Sequence, residues 1–238
     1  MPPSPESLLV FGGSGAIGGA IVTAALQRQW NVTAAARTVP ADQPARVKWV
    51  SVDPSHKPVA APELEAGAPY SGICWAQGAN LDDSVYSFDP VKHLELYQAN
   101  CLYILMTLQA LLHGKLLAEG ARLCVVSSIW QNLARQTKLS YCMSKAALQG
   151  LVLSAAADLA PAGHLINAVL PGAIDTPMTR QRLTEEQIQK LRAATGFNRL
   201  PVLEDVASLV CFLCSAENNG ITGQFIAVDL GFGHVRHV

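Results

Sequence analysis

Charge is scarce in this chain, and nowhere does it run together. Aspartate, glutamate, lysine and arginine make up 15% of 238 residues, and the formal net charge at pH 7 is −1. Without a basic run there is no electrostatic footprint for nucleic acid. Without an acidic tail there is none for a strongly charged partner. No Ser-rich linker, compositional shift or internal repeat divides the sequence, so residues 7–238 read as one domain behind a flexible tail, residues 1–6. An uncharged stretch from Leu8 to Leu26 imitates a membrane span. Five glycines (Gly12, Gly13, Gly15, Gly18, Gly19) interrupt it and no basic segment precedes it, so neither a span nor a signal peptide is expected. The six cysteines make no metal pattern. Cys211 and Cys214 form a C-x-x-C pair, but it lies in an apolar helical run with no second pair or nearby histidine. They read as small hydrophobes in a reducing cytoplasm, with no metal site.

Half of the residues are hydrophobic, enough for a large core. So much apolar residue beside so little charge predicts that some surface is buried in an oligomer. Short apolar runs at 7–11, 32–36, 47–52, 73–76, 122–128, 165–170 and 224–228 are strand-like. Helical patterns separate them: after Gly15 to about 29, then 90–117, 140–159, 176–194 and 202–216. Prolines at 54, 58, 62 and 69 leave room only for a short helix near 63–66. This alternation predicts an α/β fold: one doubly wound, Rossmann-type parallel sheet of about seven strands with helices on both faces.

In such a sheet, ligands bind beyond the carboxyl ends of the strands, and the informative residues cluster there. After the first strand comes Gly12-Gly13-Ser14-Gly15-Ala16-Ile17-Gly18, a glycine turn that lets backbone N–H groups approach a pyrophosphate. After the second, Ala35-Ala36-Arg37 offers a cation where a carboxylate would select NAD, which favours the 2′-phosphate of NADP. Asp53 follows the third strand as an adenine contact or a turn cap, and Gly78 follows the fourth. Ser128 ends the fifth, and Pro171-Gly172 follows the sixth. Tyr141 and Lys145 are four apart on a helix, so phenol and ammonium share a face. A hydroxyl, a phenol and an ammonium suit proton transfer to or from an oxygen. Asn100 lies within the apolar pattern of the helix at 90–117, either at the surface or as a satisfied buried hydrogen-bonder.

These motifs together resemble the short-chain dehydrogenase/reductase family over nearly the whole chain. Ser128, Tyr141 thirteen residues on and Lys145 four further match its catalytic spacing, and Asn100 matches its helix asparagine. Asn167-Ala168-Val169-Leu170-Pro171-Gly172-Ala173-Ile174-Asp175-Thr176 matches its Asn-Ala-Val-x-Pro-Gly-x-x-x-Thr stretch. Ile221-Thr222-Gly223-Gln224 and Asp229-Leu230-Gly231 match its closing motifs. The chain departs from the pattern where Phe11-Gly12 replaces Thr-Gly and where Trp75-Ala76-Gln77-Gly78 replaces Asn-Asn-Ala-Gly.

The resemblance implies hydride transfer between NADP, or NAD, and a small-molecule carbonyl or alcohol. Tyr141 is then the proton donor, with Lys145 favouring its phenolate and binding the nicotinamide ribose. Ser128 steadies the substrate oxygen, and Asn100 holds a water linking Lys145 to solvent. The implied cofactor contacts are Gly12, Ser14, Gly15, Ala16, Ile17, Gly18, Arg37, Asp53, Gly78, Tyr141, Lys145, Pro171, Gly172, Ile174 and Thr176. Ile129, Trp130, Leu133, Ala173, Ile174 and Met178 are expected around the substrate. Arg135, Arg180 and Arg182 are either anion contacts or surface charges. Residues 176–198 are expected to form a substrate-side lid, and the helices at 94–117 and 146–159 to mediate a homodimer or homotetramer. An NAD-dependent alcohol dehydrogenase and a non-catalytic NAD(P)-binding sensor remain the alternatives.

Overall fold

The first strand, β1 (Ser7–Phe11), is too short and too uniformly apolar to be anything but a buried strand: Leu8, Leu9, Val10 and Phe11 are all fully buried. The computed structural model describes residues 6–42, 45–53, 59–176, 179–180 and 183–235. Residues 1–5 of the expected tail, Pro54, Pro58, Met178 and Arg182 lie outside that set. Glu6, the last residue of that tail, has both carboxylate oxygens engaged, accepting from the Ser71 hydroxyl and the Ala216 N–H at 2.5 and 2.8 Å.

Around β1 the strands β2 (Asn31–Ala36), β3 (Val47–Ser51), β4 (Tyr70–Trp75), β5 (Leu117–Val126), β6 (Leu165–Pro171) and β7 (Phe225–Val228) form one sheet in the order β3-β2-β1-β4-β5-β6-β7. All pairings are parallel. The chain winds outward one way from β1 to β3, then reverses at β4. The crevice above that reversal is where this architecture binds ligands.

Alternation along the strands divides the core in two. Leu9, Phe11, Ile73, Trp75, Leu123 and Val125 face α3 (Tyr103–His113) and α4 (Leu139–Leu159), meeting Leu108, Leu111, Leu148 and Val152. Leu8, Val10, Cys74, Cys124 and Val169 face α1 (Ala16–Gln27) and α6 (Leu203–Leu213), meeting Ile21, Val22, Val206 and Val210. Cys211 and Cys214 belong to this second core and carry free thiols, as do the other four cysteines. No group of three or more metal-ligating side chains occurs among the described residues.

The helix expected over 90–117 is not continuous. It comprises α2 (Pro90–Tyr97), a wider π-helical turn over Gln98–Leu102, and α3. Apolar periodicity persists through the turn, which hides the break, and the chain leaves the helix at Gly114 before Lys115 takes φ 54°. β5 therefore starts at Leu117, earlier than its apolar run suggested. Among the described residues of the 176–194 stretch, helix occurs at residues 179–180 and in α5 (Glu185–Ala193). α5 opens with a capping box in which Thr184 and Gln187 satisfy each other's backbone N–H groups.

Candidate active site

The glycine turn is built on close approach. Gly12 takes φ 76°, and its N–H and that of Gly13 both donate to the Ala35 carbonyl, at 2.8 and 3.1 Å. A Cβ on Gly18 would stand 2.1 Å from the Gly12 oxygen, and one on Gly12 2.6 Å from the Gln77 nitrogen. The turn is thus packed against both β2 and the segment after β4, leaving Ser14 and Gly15 exposed toward the crevice.

That crevice is a cleft of about 850 Å³. It brings together Gly12, Ser14, Gly15, Arg37, Asp53 and Gly78 of the residues expected to hold the cofactor. Ala16, Ile17, Gly18, Tyr141, Lys145, Pro171, Gly172, Ile174 and Thr176 are not in its lining. Gly18 and Ile17 belong to the packing of α1, and Ile174 is 7% exposed in the core below the sheet rather than at a pocket wall. Gly172 is pressed against Asp229, and the Thr176 hydroxyl pairs with that of Thr179 at 3.0 Å. The cleft also recruits residues that the sequence did not single out: Asn80, Lys92, Glu95, Leu102, Tyr103 and Met106.

Tyr103 shares this cleft with Arg37 and Asp53. Burial pushes its phenol well up, Asp53 pushes it further, and Arg37 draws it back. Its ring meets Phe11 edge-on at 5.9 Å, and Phe11 stacks on Trp75 at 5.7 Å with ring planes 4° apart. The two departures from the family pattern, Phe11 and Trp75, are therefore one aromatic pair across neighbouring strands.

Behind Gly78 of the cleft stands Asn100. It is 1% exposed, and its carbonyl oxygen accepts from Ala79 N–H at 2.7 Å. Its amide nitrogen donates to the Ala79 carbonyl at 3.2 Å and the Ser144 hydroxyl at 2.9 Å. The π-helical turn supplies the offset that aims this amide inward. Asn100 thereby ties the segment after β4 to α4.

On α4, Lys145 is 4% exposed and donates to the Val126 carbonyl at 3.2 Å. Burial lowers its ammonium to about 8. Its Nζ lies 5.8 Å from the Tyr141 ring centroid. Tyr141 is half-buried, and burial raises its phenol while a hydrogen bond with Ser128 lowers it. For this phenol desolvation is the larger effect, and Ser128 opposes it. Ser128 itself caps the short helical turn Ile129–Gln131, accepting from Trp130 N–H at 3.3 Å. Ser127 instead bonds Gln131 at 2.8 Å. Residue spacing thus selected the serine that meets Tyr141.

Beyond Ser128, Ile129, Trp130 and Ala173 line a crevice of about 10 Å³ with Leu200, Pro201, Phe232, Thr195 and Asp229. Leu133 belongs to an adjoining groove, where Trp130 and Phe232 meet edge-on at 6.3 Å. Arg180 makes a two-pronged ion pair with Asp175 at 2.7 and 2.8 Å, and Arg192 of α5 reaches the same carboxylate at 3.4 Å. These bonds hold the Asp175 carboxyl below its ordinary range. Arg180 is therefore paired with the loop after β6, while Arg135 is exposed.

A dinucleotide fits this cleft. Its volume, its exposed glycine turn, its cation at the end of β2 and its acceptor at Asp53 match the parts of such a ligand. Gln77, a cleft residue, has both side-chain polar atoms buried without a hydrogen-bond partner among the described residues, a cost that a polar ligand would relieve.

A family model described as enoyl-(acyl carrier protein) reductase matches residues 72–233. The uncharacterized oxidoreductase YmfI of Bacillus subtilis is 29% identical over 164 residues, 69% of this chain and 67% of that protein. The 3-oxoacyl-(acyl-carrier-protein) reductase FabG of Aquifex aeolicus is 34% identical over 137 residues, 58% of this chain and 55% of that protein. The matched stretches thus span about half to two thirds of these relatives. In three dimensions, a short chain dehydrogenase family protein from Francisella tularensis superposes with a TM-score of 0.84 at 23% identity, covering 96% of this chain and 99% of that one.

Proposed function

Because the chain belongs to the short-chain dehydrogenase/reductase family of NAD(P)-dependent oxidoreductases, we propose that it reduces a ketone or aldehyde carbonyl with NADPH, reversibly. The observation that carries this reading is the grouping of Ser128, Tyr141, Lys145 and Asn100 beside Gly78, a residue of the cleft suited to a dinucleotide. When bound, the nicotinamide supplies the hydride.

The chain's own work is on the oxygen. Tyr141 gives its proton to the carbonyl oxygen, and Ser128, already hydrogen-bonded to Tyr141, donates to that oxygen as charge develops. A free phenol has a pKa near 10, and bringing it to neutrality takes about 4 kcal/mol of preference for the phenolate. Burial adds to that demand, so the neighbouring cations and Ser128 must meet it together. Asn100 holds Ala79 and Ser144 in register, which fixes the wall against which Lys145 stands. Gly12, Ser14, Gly15 and Gly78 would hold the pyrophosphate side, and Arg37 the 2′-phosphate.

The surface for a second copy is drawn from the exposed apolar residues Val91, Leu94, Leu105 and Leu112 of α2 and α3 and Met143 and Leu153 of α4. Among the described residues no helix is long and apolar enough to cross a membrane.

The reading is tested by following NADPH and NADH consumption against a carbonyl panel that includes a 3-oxoacyl thioester, the group for which the FabG relative is named. NADPH should be consumed faster. Arg37→Ala should weaken NADPH binding by about tenfold more than NADH binding. Equal losses would remove Arg37 as the phosphate reader.

A further inference from the structure

Tyr141 has two ammonium groups beside it, and the family pattern accounts for only one. Lys145 Nζ lies 5.8 Å from the ring centroid, and Lys138 Nζ lies 5.9 Å from it. Lys138 stands immediately before α4 and is 7% exposed. Of the three donors on its ammonium, one goes to Asn80 Oδ1 at 2.8 Å and one to the Asp82 carboxylate.

The backbone around Lys138 is fastened from both sides. Leu139 N–H donates to the Asp83 carbonyl at 3.3 Å. The Asp83 carboxylate accepts from the Ser140 N–H at 3.0 Å and from its hydroxyl, which also pairs with His93 Nδ1 at 2.8 Å. A long, flexible side chain held this way has already lost its rotamer freedom in the folded chain.

The Lys138–Asp82 pair is electrically lopsided. The lysine side chain is 8% exposed and the aspartate side chain 67%. Water and salt screen the carboxylate far more than the buried ammonium, so the pair presents a net positive field to the ring above it.

We propose that Lys138 is a second positioning cation for Tyr141, stabilising the phenolate form during proton transfer, with Asp82 setting the strength of that field. The proposal rests on the reading of Tyr141 as the proton donor. The proton balance is unaltered: the Tyr141 O–H bond breaks, the substrate O–H bond forms, and Lys138 transfers nothing. The titratable and charged neighbours are Lys138, Cys142 and Lys145 from the α4 chain, Asp82 and Asp83 from the segment after β4, and His93 from α2 through Ser140. Of these, only Lys138 and Asp82 form a pair that can be changed one sign at a time without touching Ser128, Lys145 or Asn100.

The test reads Tyr141 directly. Tyrosinate absorbance is followed with rising pH in the full chain, and the same titration of Tyr141→Phe is subtracted. Lys138→Met should move the Tyr141 midpoint up by about one unit, and Asp82→Asn should move it down. Lys138→Arg should leave it in place, and circular dichroism confirms that each variant is folded. Shifts in one common direction, or no shift in either variant, overturn the proposal. Should Lys138→Met fail to fold, the downward shift of Asp82→Asn decides in the same way. Because this readout needs no turnover, it is separate from the functional reading. Opposite shifts in a chain that reduces no carbonyl support the field of Lys138 and overturn the reductase assignment.

Discussion

Tyr141 begins at a disadvantage for proton transfer, since its burial favours the neutral phenol. Lys145 carries the opposite burden: burial lowers its ammonium from 10.5 to about 8. Between those two values the unfolded chain binds more protons than the folded one, so stability rises with pH across that window. Below about 8 both states hold the charge and the fold bears the full desolvation cost. Chemical denaturation of wild type and Lys145→Met should show a difference that grows from about 8 toward 10.5, by up to about 3 kcal/mol in favour of the wild type. A difference that stays flat would show that the ammonium is not desolvated. Tyr141, Lys145 and Ser128 were legible in the sequence because helix spacing and a strand end fix their relation locally. Lys138 was not, because its meaning depends on residues 80–83 meeting residues 137–140, a contact that no local pattern announces. Where the Ile174 side chain sits was not legible for a related reason: the motif gives its position along the chain, while packing turns the side chain into the core.

At the scale of elements, the strand–turn–helix at the start of the chain leaves least room for change. Gly18 sits in α1 with the Gly12 carbonyl where its Cβ would be. Gly18→Ala should destabilise the chain by about 3 kcal/mol and abolish NADPH binding, read by thermal unfolding and by cofactor fluorescence. Unchanged binding would mean that the turn is not the pyrophosphate site. All seven strands were legible from their apolar runs, since buried parallel strands leave an unbroken signature. The interruption at Gln98–Leu102 was not, because a π-helical turn preserves the apolar stripe while shifting Asn100 inward. The stretch expected as a lid was legible only as a polar segment. Polar composition marked the segment, but the Arg180–Asp175–Arg192 clamp appears only when the loop after β6 meets α5.

Across the whole molecule, the reversal of strand order between β1 and β4 puts every strand-end motif on one rim. The opposite sides are left to carry apolar helices, and Leu94 and Leu105 are 63% and 46% exposed. If these helices carry the proposed homodimer or homotetramer contact, wild type sediments as an oligomer and Leu94→Glu with Leu105→Glu as a monomer, at little cost to monomer stability. An unchanged mass would place the subunit contact elsewhere. The central claim is that Tyr141 moves the proton, and its most direct measurement sets Tyr141→Phe beside wild type in both cofactor binding and carbonyl reduction. The account predicts NADPH binding within about twofold of wild type and turnover reduced by 10²–10⁴-fold, roughly the range for loss of a general acid. Turnover at the wild-type rate in the phenylalanine variant would contradict it.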